Sequence, residues 1–239
     1  MAESQSKPLR RSSLTDQATA ALLELIQDRG LAPGDHLPPT NELAATFDVS
    51  VPVVREAVSG LAAMGVVRRQ QGKESVISVP DASHLSLLLR FRVQHPDGDD
   101  DQVQEFREVV EVGNARLAAS HADEASLADV RAALAHLRAV ETEEELHTAD
   151  VGFHAAVARA GKNDLLVLTL GALEPLLRRQ REHVWRGWVQ AGGDLQTIIE
   201  AHARILDRIE ARDPEGAATA MADHLFHHAR VVLPPAETD

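Results

Sequence analysis

Residues 31–79 read LAPGDHLPPTNELAATFDVSVPVVREAVSGLAAMGVVRRQQGKESVISV, and two patterns in them decide the fold. The first is a helix, a turn and a second helix. Leu31-Ala32-Pro33-Gly34-Asp35 reads as a turn, because proline fixes φ and glycine tolerates positive φ, so an earlier helix should end near Arg29-Gly30. Residues 42–47 then give about two helical turns with Leu43, Ala44 and Phe47 on one face. Asp48-Val49-Ser50 interrupts them and supplies an N-cap for a helix from Val51, where Pro52 is tolerated because first-turn amides have no intrahelical partner. Val54, Val58, Leu61 and Ala62 make its buried stripe and leave Arg55 and Ser59 toward the other flank. The second pattern is a hairpin: residues 66–69 and 75–79 are strand-like runs joined by Gln70-Gln71-Gly72-Lys73-Glu74. Together they predict a winged helix-turn-helix, sized for the DNA major groove.

These residues resemble the reader domain of the GntR family of bacterial transcription regulators. The match runs through Pro33-Gly34, Leu37-Pro38, Glu42-Leu43-Ala44, Val49-Ser50, Val54-Arg55-Glu56-Ala57, Leu61, Gly65 and Val67 at fixed spacing. The resemblance implies DNA contact by Thr40, Asn41, Ser50, Val51, Pro52 and Arg55 on the helices and by Arg68, Arg69, Gln71, Gly72 and Lys73 on the wing. Three positions depart from the family pattern. Pro39-Thr40-Asn41 stand where a serine cap and Glu-Arg are usual, with Thr40 expected to take over the cap. Val51 and Pro52 stand where an arginine and a threonine are common. A bidentate arginine to guanine is worth about 1–3 kcal/mol of discrimination, so a different half-site or weaker specificity is expected. For Arg55 the structural alternative is an exposed charge paired with Glu56.

The chain has 239 residues, enough for one or two domains with a sizeable core. It has no cysteine, which excludes disulfides and thiolate metal sites and fits a cytoplasmic protein. Residues 1–13 lack an apolar signal core, and no membrane-spanning stretch follows. The net charge of −13 is unevenly placed: residues 1–80 hold 8 Lys and Arg against 9 Asp and Glu, and the remainder 16 against 28. Lys7, Arg10, Arg11, Arg55, Arg68, Arg69 and Lys73 can still form a local basic face. DNA affinity should then be modest and salt-sensitive.

Domains are expected at residues 1–80 and 81–239. Residues 85–91 read as an apolar linking helix and 95–101 as a loop, from their Pro, Gly and Asp block. Beyond Gln102 only helical periodicity remains, in segments near 102–120, 124–141, 143–160, 163–186, 194–211 and 214–232. Short connections predict an antiparallel all-α helical bundle, so the fold class is mainly α.

Within that bundle Asp150 and His154 are i, i+4, so both project from one face and can hold one ion. His202 and His224 lie on other helices with apolar flanks that turn them inward. A lone inward histidine is more often a hydrogen-bonded core residue than a ligand. However, Asp150-x-x-x-His154, Glu200-x-His202-x-x-Ile205-Leu206 and Asp213-x-x-x-Ala217-x-x-x-Met221-x-x-His224-Leu225 resemble the FCD effector-binding domain of the FadR-type subfamily, and Arg107 and Glu111 resemble its opening helix. The resemblance implies a divalent metal held by Asp150, His154, His202 and His224. Imidazole and carboxylate donors suit zinc, nickel or manganese. A small carboxylate effector could bind there with Arg107 as anion contact, ahead of Arg178 and Arg181, whose helix reads as a solvated face. Asn163 reads as a helix cap.

The expectation is therefore a homodimeric DNA-binding regulator, a repressor by family habit, that reads a short palindrome under effector control and has no catalytic residues. The alternatives are a metal-dependent hydrolase, since a ligated cation can activate water, and a regulator whose metal is structural or is itself the signal.

Overall fold

The structure is a computed structural model that describes residues 13–70, 74–93 and 99–232, the side chains of 90–93, 99–101 and 226–232 excepted. Two compact units part between His84 and Leu85.

The first unit begins with α1 (Leu14–Asp28), capped reciprocally by Ser13 and Asp16. The helix-turn-helix is α2 (Thr40–Phe47) and α3 (Val51–Ala63), joined at Asp48, which takes the left-handed conformation with φ 52°. Both α1 and α2 pack on α3. Leu22, Leu43, Val54, Ala57, Val58 and Leu61 are buried there, so the apolar stripe of α3 lies where its spacing predicts. The wing is shorter than expected: β1 (Val67–Arg68) and β2 (Val76–Ile77) pair antiparallel, Val67 opposite Ile77 and Arg68 opposite Val76. The turn before α2 closes on this hairpin, with the Leu37 amide donating to the Ser75 carbonyl at 2.8 Å. Thr40 does not cap α2. It is the first helical residue, Pro39 holds the cap position, and no side chain bonds to the end. Ser50 does hold the cap position of α3, but its hydroxyl makes no capping bond.

Next comes α4 (Ala82–Val93), longer than the linking helix expected over 85–91, its first turn held by Asp81, which accepts from the Ser83 amide. The second unit contains α5 (Asp99–His121), α6 (Glu124–Arg138), α7 (Glu143–Ala160), α8 (Asp164–Gln190), α9 (Leu195–Glu210) and α10 (Pro214–Val232). Residues 99–101, expected in a loop, start α5. Residues 94–98, the rest of that expected loop, lie outside the described residues. Side-chain caps start four of these helices, at or within two residues of the expected segment boundaries. Asp123 and Thr142 form capping boxes, Asn163 accepts from the Leu166 amide, and Asp194 accepts from the Thr197 amide. Helix α8 runs past its expected end and carries Pro175 internally. The larger core cluster has Leu137, Phe153, Ile205, Ile209 and Met221 among its fully buried side chains, with α5 against α10 and α6 against α7, and a smaller one gathers Val103, Ala158, Leu170, Leu176 and Leu177.

Candidate metal centre and nucleic-acid interface

The four donor residues of the centre come from three helices of the second unit, with α5 and α8 supplying the charged groups around them. Asp150 and His154 come from α7, His202 from α9 and His224 from α10, each offering a donor atom within 4.8 Å of the others. Asp150 Oδ1 is 3.0 Å from His202 Nε2 and 3.8 Å from His154 Nε2, and the Nε2 atoms of His154 and His224 are 3.3 Å apart. Phe153 fixes the rings, edge-on to His202 at 4.8 Å and to His154 at 6.0 Å between centroids.

The surrounding contacts orient two of the rings. His202 Nδ1 is 2.8 Å from the Ile198 carbonyl, which can only accept, so that nitrogen carries a proton and Nε2 is the nitrogen turned to the cluster. This buried Nε2 makes no hydrogen bond although a carboxylate oxygen stands 3.0 Å away. A divalent cation ligated by both atoms would satisfy this nitrogen and the carboxylate together. His154 turns Nδ1 to the Glu111 carboxylate, which likewise leaves Nε2 toward the cluster. A carboxylate behind a ligand histidine is the usual support of a metal site. The donor set therefore fits a borderline divalent ion.

Charge in this region is dense and buried. Glu111, fully buried, is 2.7 Å from Arg107 Nε and 3.3 Å from an Arg181 amino group; Arg181 Nε is 3.0 Å from Asp150 Oδ2. Burial alone would raise both carboxyl pKa values. His154 with Arg107 and Arg181 around Glu111, and His154, His202 and Arg181 around Asp150, hold them well below the usual range, so both are ionised. Burial pushes the His154 imidazole down against its carboxylate neighbours, which favours the neutral form that ligates metals. A cavity of about 50 Å³ opens beside the cluster. Arg107, His147, Asp150, Arg181 and His224 form its polar wall, and Leu146, Val184, Trp185, Ile198 and Leu225 its apolar one.

Arg181 corrects the sequence reading. It is buried and paired, whereas Arg178 is partly exposed and bonds Thr148 and Glu182. The signal was present, since Leu177, Arg181 and Val184 fall at i, i+4, i+7 on the buried stripe of α8. His147 carried no motif signal.

In the first unit Asn41, Ser50, Pro52, Arg55, Arg68 and Arg69 are exposed, and Thr40 and Val51 half-buried. Arg55 has no side-chain partner among the described residues, and Glu56 instead accepts from Thr15. Arg69 donates to Ser59 Oγ at 3.1 Å, tying the wing to α3. Gln71, Gly72, Lys73, Lys7, Arg10 and Arg11 lie outside the described residues.

Comparison with known proteins agrees with both halves. The FCD domain matches residues 102–227 and the gntR family of bacterial regulatory proteins matches 14–77. The chain belongs to the GntR family of transcription regulators, in its FadR-type group with an FCD domain. It is 33% identical to the HTH-type transcriptional regulator LutR of Bacillus subtilis over 84% of this chain and 93% of that one. It is 30% identical to the HTH-type transcriptional repressor NanR of Edwardsiella tarda, over 92% and 85%. The solved Streptococcus agalactiae GntR shares the fold, with a TM-score of 0.71 at 23% identity over 90% of this chain and 99% of that one.

Proposed function

We propose that this GntR-family regulator is a repressor whose operator binding is controlled by a small carboxylate at a divalent-metal centre. Residues 1–80 act as the DNA reader and residues 81–239 as the effector and dimerisation domain. The observation that carries the control half is the convergence of Asp150, His154, His202 and His224, with the buried His202 Nε2, which makes no hydrogen bond, 3.0 Å from an Asp150 oxygen. The name of the relative NanR, a repressor, supports the sign of the output.

A divalent ion held by these four residues would offer an organic carboxylate a Lewis-acidic contact. The protein contributes the rest of the anion site. Arg107 and Arg181 put two guanidinium groups on the cavity wall, each already oriented by Glu111. In the reader, Arg55 projects from α3 as the leading base contact. Thr40, Asn41, Ser50, Val51 and Pro52 approach at the helix starts, and Arg68, Arg69, Gln71, Gly72 and Lys73 from the wing. Two heads of a homodimer would read a palindrome, and effector binding switches them only as far as its affinity differs between the two dimer states. The regulator relatives disfavour a hydrolase.

The test is selection of genomic fragments by the purified protein at physiological salt. Enrichment of one short palindrome, lost with Arg55→Ala, supports the reading. Retention that is sequence-blind and abolished by salt overturns the specific-reader half.

A further inference from the structure

Two buried glutamines belong neither to the metal cluster nor to the cavity wall. Gln104 of α5 is 7% exposed and Gln180 of α8 is 2% exposed. Both stand in one chain of hydrogen bonds that starts at the cavity. Arg107 Nη1 donates to Gln180 Oε1 at 3.4 Å, Gln180 Nε2 to Gln104 Oε1 at 2.9 Å, and Gln104 Nε2 to Glu108 Oε1 at 3.0 Å. A guanidinium only donates and a carboxylate only accepts, so both ends are fixed and the two amides fit in one sense. Such a pair adds little stability over two apolar side chains, while the loss of any one bond leaves a buried group unsatisfied.

We infer, resting on the anion role proposed for Arg107, that Gln180 and Gln104 are positioning residues that couple occupancy of the cavity to the amino-terminal turns of α5. Arg107 is held at one end by Glu111, 2.7 Å from Nε, so the edge left for a carboxylate is its pair of terminal amino groups. One of that pair is the donor to Gln180, and its bond is the longest of the chain. A carboxylate that draws Nη1 toward itself breaks this bond first. Gln180 Oε1 then loses its donor, and the tie from Gln180 to Gln104 across α8 and α5 loosens with it. Gln180 therefore opposes anion binding, because its bond has to be given up, and Gln104 passes the loss to α5. In the chain α5 follows the linking helix α4, so these turns are the part of the bundle next in sequence to the linker.

The test is calorimetric titration of zinc-loaded, full-length protein with acetate, butanoate, succinate and hexanoate, followed by amide hydrogen exchange with and without the tightest binder. The proteins are wild type, Gln180→Leu, Gln180→Glu and Gln104→Leu, with zinc content and melting temperature as checks on folding. In wild type the carboxylate should speed exchange over residues 102–110 at least ~3-fold and leave α6 unchanged. Gln180→Leu should bind the same carboxylate about 3–10-fold more tightly, the rough worth of one hydrogen bond no longer given up. Gln180→Glu, a stronger acceptor for Arg107, should bind it more weakly. Gln104→Leu should keep the wild-type affinity but lose the exchange response. Unchanged or slower exchange over residues 102–110 in wild type, which needs no variant, overturns the inference and leaves the carboxylate reading standing. So does equal or weaker binding by folded Gln180→Leu. Binding of none of the four by zinc-loaded wild type overturns the carboxylate reading itself, and this inference with it.

Discussion

Glu111 stands behind His154, not among the donor atoms, and that position decides what its loss should do. Glu111→Gln keeps the shape but removes the charge that orients the Nδ1 proton, so zinc affinity should fall about 10–100-fold, measured by competition with a chromophoric chelator. An unchanged affinity would mean that His154 is oriented by packing alone. Arg55→Ala should cost about 1–3 kcal/mol in operator binding while sequence-blind binding changes little, read by fluorescence anisotropy on operator and scrambled DNA. The convergence of the four donor residues was legible because i, i+4 spacing joined Asp150 to His154 and the second resemblance added His202 and His224. Arg181 was not, because three arginines in four residues read as a solvated face until α8 turned one of them inward.

At the scale of elements, caps and turns carry the boundaries. Gly65 ends α3 at φ 77°, and a Cβ there would lie 2.8 Å from the His84 ring and 3.3 Å from Pro80 Cα. Gly65→Ala should destabilise the reader by about 1–2 kcal/mol, seen as a lower urea midpoint, while zinc binding in the other unit is kept. Asp123 caps α6, and its pKa is lowered by its bonds to Ser126 and by Lys162. A carboxyl depressed in the folded state adds stability that is complete above its ordinary value of 3.8 and is lost as pH falls below it. Asp123→Ala should therefore lower the urea midpoint at pH 7, with the gap from wild type shrinking below about pH 4. A gap that is constant with pH would contradict the assignment. Helix existence was legible from periodicity, and Asp123 and Asn163 from composition. The missing hydroxyl cap at Thr40 was not, because Pro39 shifts the start of α2 by one residue and places Thr40 inside it. Pro175 was passed over in the sequence, and α8 continues through it because packing on α7 and α10 outweighs one lost amide bond.

For the molecule as a whole, the uneven charge matters most. With −12 of the net charge beyond residue 80, DNA binding rests on the few cations of the reader. Operator affinity should fall with salt at a log–log slope of roughly −0.9 per phosphate contact, and Lys73→Ala should make the slope shallower by about 1. Fold class and family were legible at this scale because the two motif sets fall in separate halves of the chain. What joins the halves in function is the central claim. Its most direct test is titration of the selected operator with zinc-loaded wild type, chelated wild type and His202→Ala, each with and without a mixture of small organic carboxylates. The account predicts at least a five-fold weakening of operator binding by the mixture in zinc-loaded wild type, and none in the other two. Equal operator affinity in all six titrations, or a response that persists without metal, would contradict it.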